Sequence, residues 1–162
     1  RNATRAGVAD KVTFVQGDIF QTGIPDASVV TMYLLPHLNL KLRPLLLQMK
    51  PGTRIVSNSF SMGEWLPEKS ISTATGTAYY WVIPANIAGR WAFEIGGNRF
   101  ATELGQQFQF ATARPGQPVR AGRLLGAGIE LLLEDGSTLA GEVRGDQMHG
   151  KGWNAYRIRP SG

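Results

Sequence analysis

Ser28-Val29-Val30-Thr31-Met32-Tyr33-Leu34-Leu35-Pro36 and Lys50-Pro51-Gly52-Thr53-Arg54-Ile55-Val56-Ser57 flank a leucine-rich run from Leu38 to Met49. The first stretch is apolar on both faces, which suits an interior parallel strand. Pro36 closes it, because proline cannot donate to a ladder. Upstream, Val12-Thr13-Phe14-Val15 is a further apolar run, and Gln16-Gly17-Asp18-Ile19-Phe20 turns away from it with an acid at the turn. Strands alternating with helical stretches predict a parallel sheet, since parallel neighbours need a crossover and a helix is the usual one. Ligands in such sheets sit off the carboxyl ends of the strands. Asp18 and residues 33–35 fall at such ends.

Leu38, Leu42, Leu45, Leu46 and Met49 share one helical face and read as core. Pro44 interrupts that face, and a proline in mid-helix costs about 3 kcal/mol. The expectation is therefore a short helical turn from Asn39, then a second helix with Pro44 at its first position. Pro51-Gly52 stops it ahead of the strand carried by Ile55-Val56.

Small residues dominate from Ser70 to Thr77, and the composition changes beyond them. The expected division is an α/β unit over residues 1–72 and an antiparallel β-rich unit over 73–162. In the second unit, Tyr79–Ile83, Arg90–Ile95, Gln107–Ala111, Ile129–Glu134, Thr138–Val143 and Trp153–Ile158 read as strands. Gly96-Gly97, Pro115-Gly116 and Asp135-Gly136 mark turns, the last a strong hairpin signal. Short strands at regular turns predict a small barrel or sandwich.

The chain has 162 residues, 43% of them hydrophobic and 18% charged, which places it among globular proteins. No apolar run is long enough for a membrane-spanning helix. With no cysteine there is no disulfide or thiolate chemistry, and a cytoplasmic setting is expected. The net charge of +5 is dispersed: residues 1–79 hold eight Lys/Arg against five Asp/Glu, and residues 80–162 hold nine against seven. Without a basic stripe interleaved with aromatics, no nucleic-acid partner is expected. Two histidines and no cysteine give thin material for a metal, and none is expected. The oligomeric state is not legible.

In order, Val12–Phe20 with its Gly-Asp end, Ser28–Leu35, and Met49-Lys50-Pro51-Gly52-Thr53-Arg54-Ile55-Val56-Ser57 resemble the later half of a class I S-adenosylmethionine-dependent methyltransferase. The resemblance covers residues 3–66. It implies a partial Rossmann-like sheet (strands three to five) followed by the antiparallel β-barrel or sandwich, and S-adenosyl-L-methionine as cofactor. Leu35–Leu42 and Phe60…Trp65-Leu66-Pro67-Glu68 are faintly similar to small lysine methyltransferases, so a protein methyl acceptor is implied. The family's glycine-rich loop and the acid that ends its second strand have no counterpart here. The glycines at 96–97, 126–128 and 150–152 lie among antiparallel strands. The start of the fold is therefore expected outside the chain, with the chain alone inactive.

On that resemblance, Gly17, Asp18, Ile19 and Phe20 take the adenine, Asp18 accepting from its exocyclic amine. Thr31, Met32, Tyr33 and Leu34 line the reacting end, with Tyr33 near the transferred methyl group and His37 as a base for the acceptor. Each residue also has a plainer role open to it. Asp18 is equally a turn or cap residue, Tyr33 a packed aromatic, and His37 an exposed loop histidine. Glu64 and Trp65 either form a substrate lip or pack their loop down. A second reading is a non-enzymatic β-barrel binding module on an α/β scaffold, working through Tyr79, Tyr80, Trp81, Trp91 and Phe93. A third is a nucleotide-dependent reductase, since such sheets host many functions.

Overall fold

The computed structural model describes residues 1–24 and 26–159. Helix α1 (Asn2–Arg5) and a 3-10 turn at Ala9–Lys11 lead into extended chain. Strand β1 (Val29–Met32), helix α2 (Pro36–Leu46) and strand β2 (Arg54–Asn58) then form the strand–helix–strand crossover expected of the central stretch. β1 and β2 are parallel, with Val30 opposite Ile55 and Met32 opposite Ser57.

Val12–Val15 is not a strand. The backbone at Val12 is extended (φ −128°, ψ 127°), but residues 12–16 join no ladder among the described residues. An extended run becomes a strand only when a neighbour takes its backbone groups and covers one face. Here neither happens, and Phe14 is left 82% exposed.

α2 is a single helix rather than two. Pro36 occupies its first turn, and Pro44 lies inside it. Pro44 is two residues from the helix end, and the carbonyl it deprives is that of Leu40, whose side chain faces solvent. The missing bond is thus exposed to water, which keeps the penalty small. Leu42 and Leu46 are buried as expected, and Asn39 is buried with them, its Nδ2 donating to Ser57 Oγ of β2 at 3.2 Å.

The sheet continues past the expected boundary at residues 72/73. Strands β3 (Lys69–Thr73) and β4 (Gly76–Val82) form a hairpin, and β4 pairs antiparallel with β2, giving the order β1-β2-β4-β3. Tyr79–Ile83 therefore belongs to this sheet and not to the β-rich unit. Burial explains the choice: Trp81 packs fully buried among Ile55, Met62 and Trp65, and its Nε1–H donates to the Trp65 carbonyl at 2.9 Å.

The β-rich unit is a closed eight-stranded antiparallel barrel. Its strands are β5 (Gly89–Ile95), β6 (Asn98–Gln107), β7 (Phe110–Ala113), β8 (Val119–Leu125), β9 (Gly128–Leu133), β10 (Thr138–Arg144), β11 (Gln147–Gly150) and β12 (Trp153–Arg157). Gln107–Ala111, expected as one strand, is split: Gln107 ends β6, Phe110 and Ala111 begin β7, and Phe108 and Gln109 turn between them, Phe108 in the left-handed region (φ 53°). Gly96 (φ 55°) and Gly97 (φ 88°) turn β5 into β6, a conformation that L side chains resist. Inward side chains, among them Trp91, Phe93, Leu104, Leu124, Leu131 and Trp153, form one continuous core.

Sheet and barrel are packed together. The connector passes through buried Ile83, Pro84 and Ala85, whose amide donates to the Gly126 carbonyl at 2.8 Å. Trp65 stacks on Phe108 at 5.9 Å, Gln109 Nε2 donates to the Leu66 carbonyl at 2.8 Å, and Arg123 pairs with Glu68.

Candidate functional site

A cavity of about 500 Å³ lies at the carboxyl end and free edge of β1. One wall is residues 30–34, running off the end of the strand; Leu42 of α2 forms its floor. The other wall is the loop of Val15, Gly17, Ile19, Thr22, Gly23 and Ile24. Residues of both parities on β1 take part, so the cavity wraps around the strand's open edge. The lining is mainly aliphatic, with hydroxyls from Thr22, Thr31 and Tyr33.

Of the sequence-predicted residues, Gly17, Ile19, Thr31, Met32, Tyr33 and Leu34 meet on this cavity. Gly17 is held tightly, for a Cβ there would run into the Thr22 hydroxyl. Asp18 is not on the wall. Its Oδ1 accepts from the Phe20 amide at 2.9 Å, and its carbonyl accepts from the Thr22 hydroxyl and amide, both at 2.8 Å. It therefore ties the loop that carries Gly17, Ile19 and Thr22, the local side-chain-to-backbone bonding favoured by aspartate. Phe20 also leaves the wall: half-buried against the sheet core, it has the Lys41 ammonium 4.1 Å from its ring centre. His37 is exposed on the first turn of α2, outside the cavity lining.

Val15, Thr22, Gly23, Ile24, Val30 and Leu42 line the cavity without having been singled out by sequence. For Leu42 the helical periodicity already pointed inward; for the loop residues no periodic signal exists. Tyr33 is 69% exposed, and Phe60, from the loop after β2, stacks on its ring at 6.2 Å and 13°. Trp65 is fully buried, so it packs its loop down and does not form a lip. Among the described residues no three His, Asp or Glu side chains converge as a metal site would need, and no helix is long and apolar enough to cross a membrane.

Comparison with known proteins falls on this same part of the chain. Residues 1–69 match the family model of the ANTKMT methyltransferase domain. The N-terminal part of the chain is thus similar to a methyltransferase domain. A protein-lysine N-methyltransferase of Saccharolobus islandicus (strain REY15A) is 39% identical over 87 residues, covering 51% of this chain and 54% of the relative. The crystal structure of an RNA methyltransferase from Salinibacter ruber in complex with S-adenosyl-L-homocysteine aligns with a TM-score of 0.51 at 52% identity. That alignment covers 53% of this chain and 57% of that one. The chain thus spans about half the length of the relatives it matches.

Of the aromatics behind the binding-module reading, Trp81, Trp91 and Phe93 are buried in the two cores, while Tyr79 and Tyr80 on β4 are half-buried. Side chains fill the interior of the barrel around Trp91, Phe93 and Trp153.

Proposed function

We propose that the β1 cavity is the nucleoside and methyl-donor side of an S-adenosylmethionine-dependent methyltransferase site, and that the acceptor is a protein lysine. The observation that carries this reading is the convergence of Gly17, Ile19 and residues 31–34 on one apolar cavity at the carboxyl end of a parallel strand. The methyltransferase match over residues 1–69 and the S-adenosylhomocysteine bound by the Salinibacter ruber protein support it.

The residues present fit that cofactor. An aliphatic slot between the 15–24 loop and β1 suits a purine face, and only one oxygen of Asp18 is engaged by its loop. In this reading Gly17 and Ile19 flank the ring, with Phe20 supporting the loop from the core. The second oxygen of Asp18 accepts from the exocyclic amine. Thr31, Met32, Tyr33 and Leu34 line the reacting end. When bound, the cofactor supplies an electrophilic methyl group on a sulfonium. The protein's part is to align the acceptor with it, because in-line displacement depends on positioning. A lysine must lose a proton to act as a nucleophile. His37, exposed on the turn that follows β1, is the group we assign to accept it. The chain is proposed to bind this ligand weakly and turn over poorly on its own, because among the described residues no glycine lies on the connection from a strand to the helix after it.

S-adenosylhomocysteine titrated into the 162-residue chain should shift the amide resonances of residues 31–34 and of Ile19. Asp18→Asn, which keeps the bond to the Phe20 amide and removes the charge, should weaken that binding about tenfold, as expected for one charge-assisted hydrogen bond. No resonance shift in a folded chain would overturn the reading. An RNA acceptor is the second reading, resting on the 52% identity with a protein described as an RNA methyltransferase. Radiolabelled S-adenosylmethionine offered with total protein and total RNA separates the two by which fraction takes up the methyl group.

A further inference from the structure

We infer that Asn39 and Ser57 are positioning residues that hold Phe60 against Tyr33 and thereby fix the ring at the mouth of the β1 cavity. Tyr33 is the most exposed aromatic of the site, on a short connection with no ladder partner, so nothing on its own element restrains its ring. The restraint comes from the next strand. Phe60 lies nearly parallel to it, 13° between ring planes, and is itself only partly exposed.

Phe60 is held by its backbone. Its carbonyl accepts from Ser57 Oγ at 2.7 Å and from Asn39 Nδ2 at 3.1 Å; the same amide nitrogen reaches the Ser61 carbonyl and Ser57 Oγ, each at 3.2 Å. Its amide donates to the Asn58 carbonyl at 2.9 Å. Between them, Ser59 adopts φ 67°, a conformation that non-glycine residues avoid, and its amide donates to the Thr77 carbonyl at 2.7 Å. The loop is thus fixed from α2, from β2 and from β4 at once.

Asn39 is fully buried, and its Oδ1 has no hydrogen-bond partner among the described residues. An orphaned buried acceptor is destabilising, so a leucine would serve packing better at this point of the α2 face. What only the amide provides is a donor that reaches two successive carbonyls of the loop. The side chain is therefore explained by where it puts Phe60. The significance of Tyr33 as the wall of the reacting end rests on the methyl-transfer reading; the restraint on its ring does not.

The test is the ring-proton shift of Tyr33 in the ligand-free chain with labelled tyrosine, assigned by Tyr33→Phe. Stacking on Phe60 displaces those resonances upfield, and Phe60→Leu should abolish the displacement. Asn39→Ala should remove most of it, and Ser57→Ala should remove part. The ring resonances of Tyr156, on β12 of the barrel, should be unmoved and serve as the internal control for folding. Should Asn39→Ala fail to fold, Ser57→Ala decides. A Tyr33 shift unchanged by the folded Asn39 or Ser57 variant, while Phe60→Leu moves it, would overturn the inference. S-adenosylhomocysteine is then titrated into wild type and variant. Several-fold weaker binding in the variant links the restraint to the site, whereas no binding even to wild type would sink the methyl-transfer reading and leave the ring measurement standing.

Discussion

Asp18 has two carboxylate oxygens, and the fold commits one of them to its own loop. The sequence identified an acid at the turn but could not tell a ligand-facing carboxylate from a loop-tying one, because that depends on which way the side chain leaves the backbone. The same holds for Phe20, which left the cavity for the core, and for Trp65, whose burial removed one of its two readings. Asp146 gives a residue-scale prediction. The hydrogen bond from Arg159 is the main cause that holds its carboxyl below the ordinary carboxylate range; the Arg159 charge and the Arg157 side chain add to it. A carboxyl depressed in the folded state stabilises the fold above its unfolded pKa and loses that contribution as pH falls through the folded value. Arg157 also donates to the Asn86 and Ala88 carbonyls on the connector, so this cluster ties β12 to the chain ahead of β5. Acid unfolding followed by circular dichroism should therefore show an acid-limb loss of stability that Asp146→Asn reduces. An unchanged acid limb would show that the cluster does not matter to the fold.

At the scale of elements, legibility followed periodicity. The face of α2, the β9–β10 hairpin at Asp135-Gly136 and the alternation of Arg90–Ile95 were all readable, because each is decided by residues close in sequence. Val12–Val15 and Gln107–Ala111 carried equally good local patterns, yet the first is unpaired chain and the second is broken by a turn at Phe108 and Gln109. A strand's existence depends on a partner elsewhere, which the pattern does not contain. Gly141 and Gly150 are a further case. They sit within β10 and β11 with the Trp153 indole lying across them, its Nε1–H donating to the Ala140 carbonyl at 3.0 Å, a close approach that no local pattern announces. A Cβ at Gly141 would meet both that ring and the His149 carbonyl. Gly141→Ala should accordingly cost about 2 kcal/mol through overpacking, measured by urea unfolding. A change within a few tenths would mean the ring moves aside freely.

For the molecule as a whole, the sheet and the barrel share a boundary built from Trp65, Phe108, Gln109 and the connector at residues 83–88. Trp65 also packs on Trp81 at 5.9 Å, so it joins the sheet core to the β6–β7 turn of the barrel. Trp65→Ala should destabilise the protein by roughly 4 kcal/mol, the usual scale for a buried tryptophan. It should also separate the unfolding of the Trp81 and Trp153 indole resonances, which coincide in the wild type if the two parts unfold together. Coincident loss in the variant would place the coupling elsewhere. We place the division of the chain in the connector at residues 83–88, since β3 and β4 hydrogen-bond into the sheet.

By itself, the sequence determined what local chemistry can determine: a parallel strand–helix–strand unit from residues 28–58, a β-rich remainder with its glycine turns, and the methyltransferase likeness of the first part. Only the tertiary structure decided that β4 joins the sheet, that the barrel closes, and that six of the expected residues surround one cavity while Asp18, Phe20 and His37 stand off its wall. The physical reason is common to all three. Pairing, closure and side-chain convergence are long-range choices made by burying Trp65, Trp81 and Trp153, and the free energy of that burial is not written in any single stretch of the chain.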